Sequence, residues 1–374
     1  MVQHIQLKDV CDVLNGYAFK SSKYVDQGIR VIRITNVQKG YIEDDAPQYY
    51  PLENKKEIEK YLLREDDLLM SLTGNVGRVA ILKKEMLPAA LNQRVACLRL
   101  KKSANVYKPY LFHLLNSDFF ENQCIFSAQG IAQKNMSTEW LKEYQIPLYS
   151  IKKQKAIADL FDQIDALIEG RKEQKCKLGK LVKSRFIELF GDPVENPMHW
   201  ETKSLLSMGA CKNGMNFHSG DSGVEINCLG VGDFKDSDVI SETTNLPKVS
   251  LNEMPSEDYL LKDGDIVFVR SNGNKTMVGR SIIVFPGENP TTFSGFCIRY
   301  RNADSSILAS YLLRFLKTDA IRKLMYGRGA NIQNLNQQTL SSINVTVPPK
   351  KLQEQFVEFI DQVDKSKLAV QKGL

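Results

Sequence analysis

Few residues in this sequence are placed for covalent chemistry. Asp192, Glu201 and Lys203, in "GDPVENPMHWETK", are the residue types of a metal-dependent nuclease, whose carboxylates hold a divalent cation. Short carboxylate–lysine patterns also arise by chance, and exposed charges after a helix produce the same text. "SNGNKTMVGR", Ser271–Arg280, brings glycine, lysine and threonine together as a phosphate-binding loop does. A Walker loop needs glycine directly before the lysine, so that consecutive N–H groups wrap the phosphates; here Asn274 precedes Lys275. The four histidines, His4, His113, His199 and His218, have no metal-type spacing, and His113 in "YLFHLL" reads as a satisfied core residue. There is no G-x-S-x-G elbow, and "CLGVGDF" lacks the third glycine of a dinucleotide fingerprint. The expectation is a chain with no catalytic or metal-ligating residues of its own.

Recognition chemistry is better represented. "SLTGNVGR" offers Ser71, Thr73, Asn75 and Arg78; "NQR" adds Gln93 and Arg94; "AQGIAQKN" adds Gln129, Gln133, Lys134 and Asn135. Later, "RSNGNKTMVGR" offers Arg270, Ser271, Asn272, Asn274, Lys275 and Arg280, and "GRGANIQN" adds Arg328, Asn331, Gln333 and Asn334. These side chains suit DNA. Arg and Lys donate to guanine and phosphate, and Asn and Gln bridge the donor–acceptor edge of adenine. Glycine lets the backbone come close to a phosphate. Turns favour Gly, Asn and Ser anyway, so a single loop of this kind would mean little. The recurrence of similar loops in corresponding places makes all of these candidate DNA-binding residues.

That recurrence is part of a longer repeat. Gly130–Asp165 aligns with Gly329–Asp364 without a gap, so that "DQID" meets "DQVD". Upstream, Gly16 and Phe19 match Gly214 and Phe217, "DDLLMSL" matches "GDIVFVR", and Gly77-Arg78 matches Gly279-Arg280. A period this long is a duplicated domain, not a solenoid. At 374 residues there is room for two such domains with proper cores. No apolar run approaches a transmembrane length, the start lacks a signal-peptide core, and the seven cysteines form no C-x-x-C pair. These features predict a cytoplasmic protein without disulfides, zinc or a membrane partner. The net charge of +6 permits a polyanionic partner without requiring one.

Each copy begins with mixed text. Short β-like runs such as "IRVIRI", "VACLRL" and "RSIIVF" alternate with Gly/Asn turns, and a helical stretch follows. Proline then introduces a long helix. The predicted organisation is a mixed α/β domain over 1–150, a central long helix over 151–195, a second domain over 196–349 and a distal helix over 350–374. Ile157, Leu160, Ile164, Leu167, Leu178 and Leu181 keep a 3-4 spacing, as do Phe356, Ile360, Val363 and Val370. A helix over Lys152–Phe190 would be roughly 55 Å long, more than one domain needs. The expectation is therefore an α+β chain whose two similar domains are separated by long helices packed as an antiparallel coiled coil.

At this point the sequence resembles a known family, the DNA specificity (S) subunits of type I restriction–modification systems. The resemblance spans essentially the whole chain. It rests on the paired "GYAF"-like starts (Gly16–Phe19, Gly214–Phe217), the paired strands before Gly-Asn loops, the "GxxQ(K)N"-type loops, and "IPLYSIKKQKAIADLFDQIDALIEGRKEQ" running on to "SRFIELFGDP". It implies two target-recognition domains, each binding half of a split DNA target, spaced by the helices. It also implies partners: two modification (M) subunits that bind S-adenosylmethionine and methylate adenine, and restriction (R) subunits that use ATP and Mg²⁺. The chain itself would need no cofactor and would be non-catalytic. It departs from the pattern in one respect: the distal helix ends at Leu374 and has no counterpart of Cys176–Phe190. That bears on the distal half of the coiled coil and on docking of the second M subunit. Two other readings stay open, a nuclease using Asp192, Glu201 and Lys203, and an assembly scaffold that no longer reads DNA.

Overall fold

The computed structural model describes residues 3–128, 135–218, 220–234, 238–326 and 334–372. The chain divides into two compact units, Met1–Ile168 and Glu169–Leu374. The boundary lies within one continuous helix, Ile151–Phe190, rather than at either end of it.

The first unit is built on a four-stranded sheet in the order Cys11–Asn15, Val95–Leu100, Leu68–Ser71, Val79–Ile81. A three-stranded sheet, Tyr49–Tyr50, Ile29–Ile32, Ala89–Leu91, completes it, with the last two strands parallel. Leu68, Leu69 and Met70 are all buried, because helices cover one face of their sheet and the smaller sheet's cluster covers the other. Such a strand reads as a continuous apolar run rather than an alternation. The second unit repeats the plan. Its main sheet runs Gly209–Asn213, Cys297–Asn302, Asp265–Val269, Ser281–Val284, with Val239–Ile240 added at the edge. Its smaller sheet runs Lys248–Leu251, Val224–Leu229, Thr291–Phe293.

In each unit a two-stranded antiparallel clasp joins the start of the domain to the strand before its long helix. Gln3–Gln6 pairs with Gln145–Leu148, and Glu201–Ser204 pairs with Asn344–Val347. A partly buried ion pair pins each main sheet. Arg99 grips both carboxylate oxygens of Asp67 (2.8 and 2.6 Å), and Arg301 does the same to Asp265 (2.8 and 2.8 Å).

The long helices begin on a polar residue that the sequence reading passed over. Gln154 and Gln353 are fully buried. Gln154 accepts from the Tyr107 N–H (2.7 Å) and donates to the carbonyls of Asn105 (3.1 Å) and Tyr149 (2.7 Å). Gln353 accepts from the Leu308 N–H (2.9 Å) and donates to the carbonyls of Ser306 (2.9 Å) and Pro348 (2.8 Å). Tyr107 and Leu308 are the caps of helices Lys108–Leu115 and Ala309–Leu316. One glutamine thus ties two helix starts together in each copy. His113 is largely buried and satisfied, with Nε2 2.7 Å from Asp162 of the long helix. Arg314 takes the same place in the second unit, 3.5 Å from Asp364.

The expected seam needs correction. In the second unit Phe356, Ile360 and Val363 are buried, and Leu178 packs against their cluster. On the long helix, however, the residues buried in the same cluster are Val182, Phe186 and Phe190. Contact follows every fourth residue, because two phenylalanines fill an aromatic pocket with Tyr311 and Phe356 (centroids 4.8–5.7 Å). Leu181 falls off that line and is exposed. Val370 is only partly buried. In the first unit Leu160, Ile164 and Leu167 are exposed and Ile157 is partly buried.

Candidate nucleic-acid interface

In the first unit two candidate loops meet the described end of a third. In the second, one candidate loop meets the described end of another and the turn Ser294–Phe296. Both junctions are held by backbone hydrogen bonds from the ends of central strands. In the first, Leu72 N–H donates to Arg94 (3.0 Å) and Met136 N–H donates to Leu72 (2.8 Å), with a bridge between Thr73 and Asn135. In the second, Arg270 N–H donates to Phe296 (2.8 Å) and Leu335 N–H donates to Arg270 (2.7 Å), with a bridge between Ser271 and Asn334. The starts of the two domains join the same clusters. Tyr17 bridges Asn92 and Met215 bridges Ser294. This explains Gly16 and Gly214: a Cβ on either would lie about 2.2 or 2.1 Å from the backbone of Asn92 or Ser294, closer than any side chain allows.

The loop tips carry exposed polar side chains. Asn75, Gln93, Arg94 and Asn135 are exposed in the first unit, and Asn274, Lys275 and Asn334 in the second. Thr73, Ser271 and Asn272 are partly covered. Gln129, Gln133, Lys134, Arg328, Asn331 and Gln333 lie outside the described residues.

Other candidates are engaged within the fold. Ser71 is fully buried; its hydroxyl donates to the Asn75 carbonyl and accepts from the Arg78 N–H at 3.1 Å. Arg78 donates to the side chain of Gln38. Arg270 donates to the Gly295 carbonyl at 3.3 Å. Arg280 donates to the Phe234 carbonyl at 3.4 Å and lines a cavity of about 1130 Å³ rich in Arg and Lys. Asn272 and Asn274 form Asx-type turns, accepting from Asn274 N–H (2.8 Å) and Thr276 N–H (3.0 Å). A residue absent from the sequence reading is Phe296, the exposed counterpart of Arg94. Aligning "NQR" with Ser294–Phe296 would have found it.

Salt links at corresponding positions of the two units have opposite polarity. In the first unit Lys39 reaches Glu121 (2.8 Å) and Asp118, and those hydrogen bonds raise the lysine pKa. In the second, Asp238 is gripped by Arg314 and Lys317. Burial pushes the Asp238 carboxyl up, but the two cations outweigh it and hold it down at about 2.

The nuclease constellation is not assembled. Asp192 caps its own turn, accepting from Val194 N–H (2.8 Å) and Glu195 N–H (3.1 Å). Lys203 is paired with Asp304 at 2.8 Å, which raises the lysine pKa. Among the described residues no group of three His, Cys, Asp or Glu side chains could hold a metal ion. Among them, too, no helix is long and apolar enough to cross a membrane.

Comparison with known proteins gives a consistent picture. The family profile "Type I restriction modification DNA specificity domain" matches residues 2–178 and 227–374. The type I restriction enzyme StySPI specificity subunit of Salmonella potsdam is 23% identical, across 95% of this chain and 80% of its own length. The MjaVIII specificity subunit of Methanocaldococcus jannaschii is 31% identical across 48% of this chain and 43% of its own. The crystal structure of a type I restriction–modification S subunit from M. genitalium superposes with a TM-score of 0.51 and 16% identity, covering 99% of this chain and 91% of that one. At that identity the match speaks for the fold.

Proposed function

Because the chain belongs to the type I restriction modification DNA specificity domain family, we infer that its paired loop clusters read a DNA target in two halves. The chain is the specificity subunit of such a system and is not itself an enzyme. One observation carries the assignment of the interface: three chain segments meet at one place in each unit, through corresponding hydrogen bonds. Asn75, Gln93, Arg94 and Asn135 read one half-site, and Asn274, Lys275 and Asn334 read the other. Phe296 supplies an apolar contact, of the kind that suits a thymine methyl. The long helices set the distance between the halves and dock two modification subunits. S-adenosylmethionine, ATP and Mg²⁺ belong to the modification and restriction subunits, and the complex works in the cytoplasm.

The test is salt-dependent binding of duplex DNA by the chain assembled with its modification subunit. If Lys and Arg from both units neutralise phosphates, log affinity falls with log salt at a slope of about 0.9 per phosphate, several in total. A flat response would remove the interface. Methylation profiling of genomic DNA then gives the bipartite site itself.

A further inference from the structure

The two units differ at one buried position of the main sheet. Asn302 pairs with Gly209 as Leu100 pairs with Cys11, so the repeat sets Arg299 where the first unit has Cys97. Cys97 is fully buried, and Arg299 is only 5% exposed. A buried guanidinium ordinarily lies against an acid, because an unpaired charge away from water is costly. Among the described residues no acid is paired with Arg299. Asp265 is gripped by Arg301 (2.8 and 2.8 Å), and Asp258 is held by Lys212 at 3.4 Å. Lys212 lies directly opposite Arg299 in the ladder, so three cations, Lys212, Arg299 and Arg301, share two acids. The Arg299 Nε is shut off from solvent and has no hydrogen-bond partner among the described residues. Burial, and after it the like charge of Arg301, pushes the Arg299 guanidinium pKa down.

Arg299 and Arg301 line a cavity of about 810 Å³, together with Asp258, Asp304 and Ser305. Asp304 is neutralised by Lys203 at 2.8 Å. The charge left over at the wall is therefore positive, and the volume is that of a small-molecule site. The cavity lies at the Asn302 end of the strand Cys297–Asn302. The turn Ser294–Phe296, which joins the loop cluster, precedes the other end, roughly 17 Å away by strand rise. We propose that this cavity binds a small oxyanion, a phosphate or carboxylate group on a free molecule, with Arg299 as its charge partner. A guanidinium holds either group through charge-assisted hydrogen bonds. The bound anion supplies the counter-charge that the fold leaves out, so occupancy stabilises the second unit by mass action. The site stands on the charge balance of that unit and does not depend on DNA reading.

The experiment follows the melting temperature of the full-length chain against inorganic phosphate and, separately, acetate, with sodium chloride at matched ionic strength as the reference. A saturable rise above chloride is expected with at least one oxyanion, and the stronger of the two identifies the group. Arg299→Met should remove that rise and leave the protein in chloride at least as stable as the parent, because an unpaired buried charge has gone. Ser305 is exposed on the same cavity. Ser305→Glu places a carboxylate there, and should weaken binding of the preferred anion, measured by calorimetry, about tenfold or more. That variant also serves as the test if Arg299→Met does not fold. No rise above chloride in the parent overturns the proposal, as does a rise that the folded variants leave unchanged. Competition between the anion and a short DNA duplex also overturns it, because the cavity would then belong to the DNA interface.

Discussion

Asn75 is the cleaner probe of base reading. It is exposed, and its backbone carbonyl is what accepts from the Ser71 hydroxyl within the loop. Asn274 differs, because its side-chain oxygen holds the turn through Thr276. Asn75→Ala should relax one half-site and leave the other unchanged, at about 1–3 kcal/mol for a lost base contact. Asn274→Ala should affect only the other half-site, with an added loss from the loosened loop. Profiles of methylated sites check both; equal relaxation of the two halves by Asn75→Ala would end the modular reading. Asp238 gives a pH prediction. Its folded pKa of about 2 lies below the ordinary 3.8, so its pairing stabilises the fold fully above pH 4. That contribution fades as pH falls toward 2. Asp238→Asn should therefore be less stable near neutrality, and the gap from the parent should close on acidification. A constant gap in denaturant midpoints between pH 7 and pH 2.5 would contradict the pairing. The positions of these loops were legible in the repeat. The inward turn of Ser71 and the bond from Arg78 to Gln38 were not, because they depend on partners packed by the tertiary fold.

At the scale of elements, the helix starts are the sharpest case. Gln154 and Gln353 align in the repeat, yet a glutamine early in a helix ordinarily faces water. Only the fold places it under the cap of a neighbouring helix, where it satisfies three backbone groups. Gln353→Leu keeps the volume but strands the Leu308 N–H and two carbonyls. Each buried group left without a partner costs about 1–3 kcal/mol, so the stability of the second unit should drop measurably while the first is spared. Gln154→Leu should do the reverse. Hydrogen exchange resolved by segment distinguishes the two; uniform loss of protection in both units would mean they do not unfold separately. The helix seam shows a different limit of sequence. Leu178-Leu181 and Leu178-Val182 both satisfy helical spacing, and periodicity alone cannot choose between adjacent stripes. The aromatic pair at Phe186 and Phe190 decides it, since those rings complete the pocket around Phe356.

For the whole molecule, the helix Ile151–Phe190 gives a direct test of spacing. Its 40 residues correspond to about 60 Å at 1.5 Å per residue. Ala158 near its start is buried in the first unit, and Val182, Phe186 and Phe190 are buried in the second. Between these packed stretches, Arg171 and Leu178 flank six residues of which only Lys175 is even partly covered. An insertion near Gln174 therefore disturbs neither core. Four added residues lengthen the helix by about 6 Å and rotate its C-terminal half by about 40°. That length matches roughly two base pairs of duplex at 3.4 Å each, and the rotation is small. The methylated site should keep both half-sequences and gain one or two base pairs between them. Two added residues rotate the C-terminal half by about 200°, presenting one loop cluster to the wrong side of the duplex, and methylation should be lost. The readout is the spacer length in sites methylated by each variant, with melting curves to show that both fold. An active four-residue variant with an unchanged spacer would mean that the helix docks partner subunits without measuring DNA.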